Sequence, residues 1–127
     1  MERLDAESQA VSVSTTSLVS TLLDEGLKTR QFPDVVYRPG PTGRRATLVG
    51  GPDVWEVIRD LRQWPGKGMA RIDSLAKELE LPVSLVQVAA DFYCTFPEEI
   101  DARIKADEQA AEQIRHRIEQ RETLLSH

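Results

Sequence analysis

Histidine and cysteine, which often perform catalysis or bind metals, are scarce in this sequence. The two histidines, His116 and His127, stand in the C-terminal tail, and the single cysteine, Cys94, has no second cysteine for an internal disulfide. The adjacent Glu98 and Glu99 are better explained as the acidic first turn of a helix than as a catalytic carboxylate pair. Because no Ser-His-Asp set, metal-ligand spacing or cofactor-binding loop is present, we expect neither an enzyme nor a bound metal or cofactor.

The basic residues cluster in the middle of the sequence, a distribution that favours binding to phosphate groups over a catalytic role. The chain carries a net charge of −5, yet residues 28–72 hold nine basic against four acidic residues, a local balance of +5. Residues 1–27 and 98–127 carry −4 and −3. A basic middle between acidic ends can contact a DNA backbone, and the alternative is an ordinary solvated surface. The side chains that we predict to contact DNA in this way are Arg44, Arg45, Arg59, Arg62, Lys67, Arg71 and Lys77.

Residues 53–96 have the pattern of a helix-turn-helix unit that would position these cations. An apolar face between Val54 and Trp64 ends at Pro65, and Asp73 is a reasonable N-cap for a following helix of about two turns. A three-residue turn, 80–82, then separates this helix from an apolar one over residues 83–96. That spacing is typical of proteins in which the second helix enters the major groove of DNA.

The polar face of the last of these helices holds the candidate base-reading residues. Ser84, Gln87 and Asp91 share this face at helical spacing. Gln87 can make a bidentate contact to adenine, and Ser84 can contact a base edge or a phosphate, whereas Asp91 would repel phosphate. We therefore predict Ser84 and Gln87 as DNA-binding residues and expect dimerisation to double every contact.

The N-terminal part of the sequence divides into a polar tail, a helix and a hairpin. Residues 1–16 predict a flexible tail, and a helix is expected to begin near Ser17. Its apolar stripe must be covered by something, and consists of Leu18, Val19, Leu22, Leu23 and Leu27. Residues 34–50 predict a wing-like β-hairpin around a Pro/Gly-rich turn, with Arg44 and Arg45 where the second strand leaves the turn.

Residues 98–127 predict one long helix with a narrow apolar seam. An isolated helix of this kind is marginal, so the seam should order against another chain, either a second copy or a different protein. Packing back on its own domain is the alternative. The predicted partner-binding residues are Ile100, Ile104, Ala111, Ile114, Ile118 and Leu125.

Three stretches of the chain carry a resemblance to known proteins. Residues 40–46 (GPTGRRA), 50–55 (GGPDVW) and 92–101 (FYCTFPEEID) resemble a small bacterial family whose members are similar to VapB-type antitoxins. The similarity covers roughly residues 17–107, and FPEEID is its most specific part. The resemblance implies a winged helix-turn-helix antitoxin that represses its own operon and neutralises a PIN-like ribonuclease toxin.

Together these patterns predict a mainly α-helical protein with a helix-turn-helix core, a short β-hairpin and a long C-terminal helix. We divide it into a tail (1–16), a helix-turn-helix domain (17–97) and a partner-binding or dimerisation helix (98–127). The expected function is that of an antitoxin binding double-stranded operator DNA and a PIN-like toxin, as a homodimer. A free-standing transcriptional regulator and an interaction module that never meets DNA remain the alternatives. Without a signal-peptide pattern or a long apolar run, we expect a cytoplasmic protein that does not contact membranes.

Overall fold

The structure, a computed structural model, describes the backbone of residues 2–40 and 43–127 and the side chains of residues 15–40 and 43–127. The predicted fold class is confirmed, since the described residues form five helices, the last of them long, and one two-stranded antiparallel hairpin. In chain order the elements are α1 (Glu2–Gln31), β1 (Val35–Arg38), β2 (Arg45–Leu48), α2 (Val54–Gln63), α3 (Gly68–Leu79), α4 (Val83–Thr95) and α5 (Pro97–Leu125). None of the described helices combines the length and the apolar run that a membrane span needs.

Helix α1 is longer than the sequence pattern predicted. It begins at Glu2, so the predicted start near Ser17 is wrong. Residues 2–10 contain good helix formers such as Glu, Ala, Leu and Gln, with acidic residues near the positive end of the helix dipole. Helix formation here follows from local propensity, although this stretch lacks the apolar period that the prediction required. The division of the chain at residues 16 and 97 stays a prediction.

The predicted β-hairpin is confirmed, and one end of it is part of the core. β1 and β2 are antiparallel, with Val35 opposite Leu48 and Arg38 opposite Arg45. Val35 and Leu48 are completely buried, because this end of the hairpin packs on α2. The buried apolar core comprises Val35, Ala46, Leu48, Val54, Val57, Ile58, Leu75, Ala76, Val86, Ala89, Phe92, Ile100 and Ile104.

Helix α3 begins earlier than predicted. It starts at Gly68 with Lys67 at the N-cap position, so Asp73 lies inside the helix and the predicted N-cap is wrong. The reason is the half-buried Ile72, which packs against the core and continues the apolar stripe of Leu75 and Leu79 by one turn toward the N-terminus. An N-cap at Asp73 would have left Ile72 outside the helix.

Helix α5 starts at Pro97, one residue before the predicted position, and runs almost to the end of the chain. Pro97 occupies the first turn together with Glu98 and Glu99, which suits both the missing proline N–H and the helix dipole. Only its first two turns contain buried residues. Ile100 and Ile104 are 2% and 3% exposed, whereas every residue from 105 onward is exposed.

Candidate nucleic-acid interface

The three-residue turn between α3 and α4 is built by backbone hydrogen bonds. The amide of Leu81 donates to the carbonyl of Ala76 (2.9 Å) and that of Glu80 to Lys77 (3.2 Å), the two bonds of a Schellman motif. Glu80 has a φ of 56°, a left-handed conformation that usually requires glycine. The half-buried Leu81 packs against the core directly after it, so the turn fixes the angle at which α4 leaves α3.

The predicted base-reading residues lie at the start of α4. Ser84 is exposed, and Gln87 is half-buried with its amide nitrogen 3.7 Å from the sulfur of Met69. This contact brings the first turn of α3 beside the second turn of α4. Asp91 is exposed further along α4, so its charge faces solvent as the sequence pattern predicted.

Two lysines border this surface. Lys67 precedes α3 and Lys77 lies in its last turn, and both are exposed. Neither forms an ion pair with any residue in the described part of the chain, so both charges are available to an external phosphate. We define the α3/α4 face as Lys67, Lys77, Ser84 and Gln87.

Arg44 of the hairpin is bound to a carboxylate of α1. Its Nε donates to both oxygens of Glu25, at 2.7 and 2.9 Å, and Glu25 is only 8% exposed. The hydrogen bond to Glu25 raises the pKa of the Arg44 guanidinium above its ordinary value. This pair ties α1 to the hairpin, and it takes up the charge that we predicted to contact DNA.

Arg45 is held at the base of α2. Its Nε lies 2.6 Å from Asp53, and its Nη1 donates to the carbonyl of Pro39 at 3.2 Å. Asp53 also accepts hydrogen bonds from the hydroxyl of Thr47 (2.9 Å) and the indole of Trp55 (3.1 Å), and is 7% exposed. The carboxylate therefore connects the hairpin to the start of α2.

Two arginines of α2 hold α5 in place. Arg59 lies over the Trp55 ring and 3.7 Å from Asp107, and Arg62 contacts both Asp101 and the Tyr93 hydroxyl (2.6 Å). Hydrogen bonds from Arg62 and then from Tyr93 lower the pKa of the Asp101 carboxyl, as expected for a paired acid. These contacts explain why α2 carries arginines on its polar face.

Arg71 is also used inside the protein. Its Nη2 donates to the carbonyl of Leu61 at the end of α2, while its buried Nε has no partner among the described residues. The contact closes the loop between α2 and α3. Part of the Arg71 guanidinium is therefore already engaged inside the protein.

The hairpin turn lies away from the start of α4. A Cβ built on Gly51 would lie 3.8 Å from Leu81, so the base of the hairpin adjoins the α3–α4 turn. The opposite end contacts α1 and α5 instead, since the Tyr37 hydroxyl donates to Glu99 (2.8 Å to Oε2) and Arg103 donates to the Arg44 carbonyl. Arg44 is therefore separated from the base-reading residues by the length of the strands.

The structure thus divides the nine predicted DNA-binding residues into two groups. Lys67, Lys77, Ser84 and Gln87 share the α3/α4 face. The five arginines hold α1, α5, the hairpin and a loop through carboxylates and carbonyls, a role that the sequence analysis missed. Their contact with DNA stays a prediction, but the charge of the four arginines that meet carboxylates is largely compensated, whereas Arg71 meets only a carbonyl. The sequence offered one signal only, namely that acidic residues outnumber basic ones by 21 to 16.

The predicted partner surface on α5 needs a correction. Ile100 and Ile104 are core residues packed between α5 and α2, so their assignment to partner binding is wrong. The remaining predicted positions are all exposed, with Ile114 at 56%, Ile118 at 39% and Leu125 at 76%, and Ala111 beside them. The sequence could not separate the two groups because both follow the same helical period.

The apolar stripe of α1 is also uncovered. Its five large apolar residues are between 47% and 68% exposed, and they are Leu18, Val19, Leu22, Leu23 and Leu27. The side of α1 that meets the rest of the chain is instead marked by Glu25, Lys28 and the following Phe32, whose ring packs edge-on against Phe92. Chain-internal packing therefore does not cover this stripe within the described residues.

Comparison with known proteins adds no identification. No family model matches the chain, and no curated protein or solved structure is significantly similar to it.

Proposed function

We propose that the chain is an antitoxin-type regulator that binds operator DNA through the α3/α4 face and a protein toxin through the exposed apolar stripe of α1. The observation that carries the DNA part is the helix-turn-helix arrangement, with a three-residue turn and two polar residues, the exposed Ser84 and the half-buried Gln87, at the start of α4. In this geometry the first turns of the second helix meet base edges in the major groove. Ser84 and Gln87 stand in those turns, and Lys67 and Lys77 flank them.

The charge available for phosphate binding is modest. Two unpaired lysines per chain release few counterions, so one copy alone binds DNA weakly. Two copies would present four lysines to two half-sites, which is how helix-turn-helix dimers reach useful affinity. Operator binding therefore requires an assembled dimer.

The toxin part of the proposal rests on the resemblance and on the exposed α1 stripe. A PIN-like ribonuclease binds RNA and is expected to present a positive groove, to which the acidic ends of this chain are complementary. The stripe supplies about two and a half turns of apolar helix surface, a form of surface that docks in a groove of a partner.

A second candidate function is an interaction module that never contacts DNA. It is favoured by the internal pairing of Arg44, Arg45, Arg59 and Arg62 and by the exposed Asp91 on the recognition helix. In that case the core would serve only to position α1 and α5.

Fluorescence anisotropy with the duplex upstream of the gene separates the two candidates. We expect binding that is stronger than to a scrambled duplex and is weakened at least about tenfold by the double variant Lys67→Ala/Lys77→Ala. Lys105→Ala is the matched control, because Lys105 is an exposed lysine of α5 and not of this face. Equal binding by wild type and double variant would contradict the assignment, as would no binding with or without the product of the neighbouring gene.

A further inference from the structure

The last turns of α5 extend beyond the core with an apolar face uncovered. Asp107 is the last residue of α5 with a described ion pair to the core, at 3.7 Å from Arg59. Because 18 residues make about five helical turns, Ile118 has the same angular position as Ile100. The exposed face that contains Ile114, Ile118 and Leu125 therefore continues the face with which α5 packs on its own core.

The length of this uncovered face can be derived from the contacts with α2. Arg62 contacts Asp101 and Arg59 contacts Asp107, so α2 and α5 run antiparallel. Val54, the first residue of α2, lies about 8 Å before Arg59 along the helix axis. The N-terminal end of α2 is therefore near Ala111 of α5. Residues 112–127 then form a free tail of about 24 Å whose apolar face has no partner among the described residues.

We propose that this free tail pairs antiparallel with the same tail of a second copy. In each copy the core lies on the same side of α5 as the apolar face of the tail. In a parallel pair the two cores would therefore clash between the helices, whereas in an antiparallel pair each core lies beyond the end of the other copy's tail. Each tail then packs against the other copy's tail, directly next to the N-terminal end of that copy's α2.

Full overlap of the two tails determines the register. Residue 112 faces residue 127 of the second copy, and the apolar layers are Ile114 against Leu125 of the second copy and Ile118 against Arg121 of the second copy. The aliphatic part of Arg121 covers Ile118 while its guanidinium reaches solvent. Two-fold symmetry repeats each layer.

The flanking charges agree with this register. Arg115 and Glu122 both flank the apolar seam on the same side, so in the antiparallel pair Arg115 lies beside Glu122 of the second copy, which makes two ion pairs per dimer. Arg115 already contacts Glu112 of its own helix, but a guanidinium has five N–H donors and can bind a second carboxylate. A shift of the two helices by one heptad would place Arg115 beside Arg115 of the second copy. The paired segment would then also reach the part of α5 near Ile104 that already packs on α2.

This inference deepens the proposed function, on which its biological use rests, because a dimer doubles the α3/α4 face. The pairing is tested without DNA. A dimer that does not bind DNA would contradict only the proposed function, and a monomer that binds DNA would contradict only the pairing of the tails.

Sedimentation velocity of the full chain, with circular dichroism to confirm folding, tests the pairing. We expect wild type to dimerise, and Arg115→Glu and Glu122→Arg each to raise the dimer dissociation constant by about tenfold or more. An equimolar mixture of the two variants should form heterodimers as tight as wild type, because both ion pairs are then restored. Arg117→Glu is the matched control, since Arg117 lies on the opposite flank of the seam from Glu122 and would pair with Glu122 of the second copy only in a parallel arrangement. A wild-type monomer at about 100 μM, a mixture that stays monomeric, or sensitivity to Arg117→Glu instead of Arg115→Glu would each overturn the proposal.

Discussion

Replacing Asp53 by alanine should destabilise the protein more than removal of an ordinary N-cap does. Asp53 occupies the N-cap position of α2, but its side chain makes no cap hydrogen bond. It accepts instead from Thr47, Trp55 and Arg45, at 2.9, 3.1 and 2.6 Å. The expected loss therefore comes from the junction of hairpin and helix.

The magnitude follows from the surroundings of each donor. The buried Thr47 hydroxyl loses its partner, which costs about 1 to 2 kcal/mol, at the lower end because the Arg45 carbonyl at 3.5 Å can replace it in part. The Trp55 indole is half-buried and can turn to water, at about 0.5 kcal/mol. The Arg45 side chain is 32% exposed, so its ion pair contributes at most about 1 kcal/mol. The total is about 1.5 to 2.5 kcal/mol.

Urea unfolding followed by circular dichroism measures this loss, at one protein concentration because dimerisation affects apparent stability. Asp73→Ala is the matched control. Asp73 is exposed inside α3, and alanine is the better helix former, so this change should leave stability unaltered or slightly raised. A loss below about 1 kcal/mol for Asp53→Ala, equal to that of an N-cap alone, would refute the junction.

Two further predictions concern the ends of the core. Ile104→Ala should lower the free energy of unfolding by about 3 kcal/mol at every protein concentration, because it opens a cavity in the core. Ile118→Ala should lower only that part of the free energy of unfolding that comes from dimerisation and rises with protein concentration. Equal, concentration-independent losses in both variants would show that the tail packs on its own core. Burial, and then the hydrogen bond to Glu99, raise the pKa of Tyr37, so the folded state keeps its proton where the unfolded state releases it. Stability should therefore fall above pH 10 in wild type, by at most about 1.4 kcal/mol per pH unit and less after solvent screening, and Tyr37→Phe should fall less steeply in urea titrations from pH 9 to 11. Parallel curves would contradict this account.

The elements were largely predictable because they depend on short-range patterns. The strand pairing, the 80–82 turn and the start of α5 at Pro97 follow from turn residues and apolar periods that the sequence shows directly. The left-handed turn at Glu80 is held by Leu81 and two backbone bonds, so no glycine marked it.

The site was less predictable because it depends on long-range pairing. Arg44 meets Glu25 across 19 residues, and Arg62 meets Asp101 across 39. Nothing in their local sequence distinguishes these arginines from the free Lys67. Ile104 is buried and Ile118 is exposed because α2 covers only the first part of α5. The apolar period of α5 does not show where that cover stops.

The salt dependence of DNA binding tests the division between free lysines and paired arginines most directly. A dimer that neutralises four phosphates through Lys67 and Lys77 should give a slope of about −3.6 in a plot of log K against log salt concentration. If all seven predicted basic residues of each copy contacted phosphates, the slope would approach about −13. Binding to the upstream duplex with a slope near −4 supports the account, and a slope steeper than about −8, or the absence of salt-sensitive binding, contradicts it.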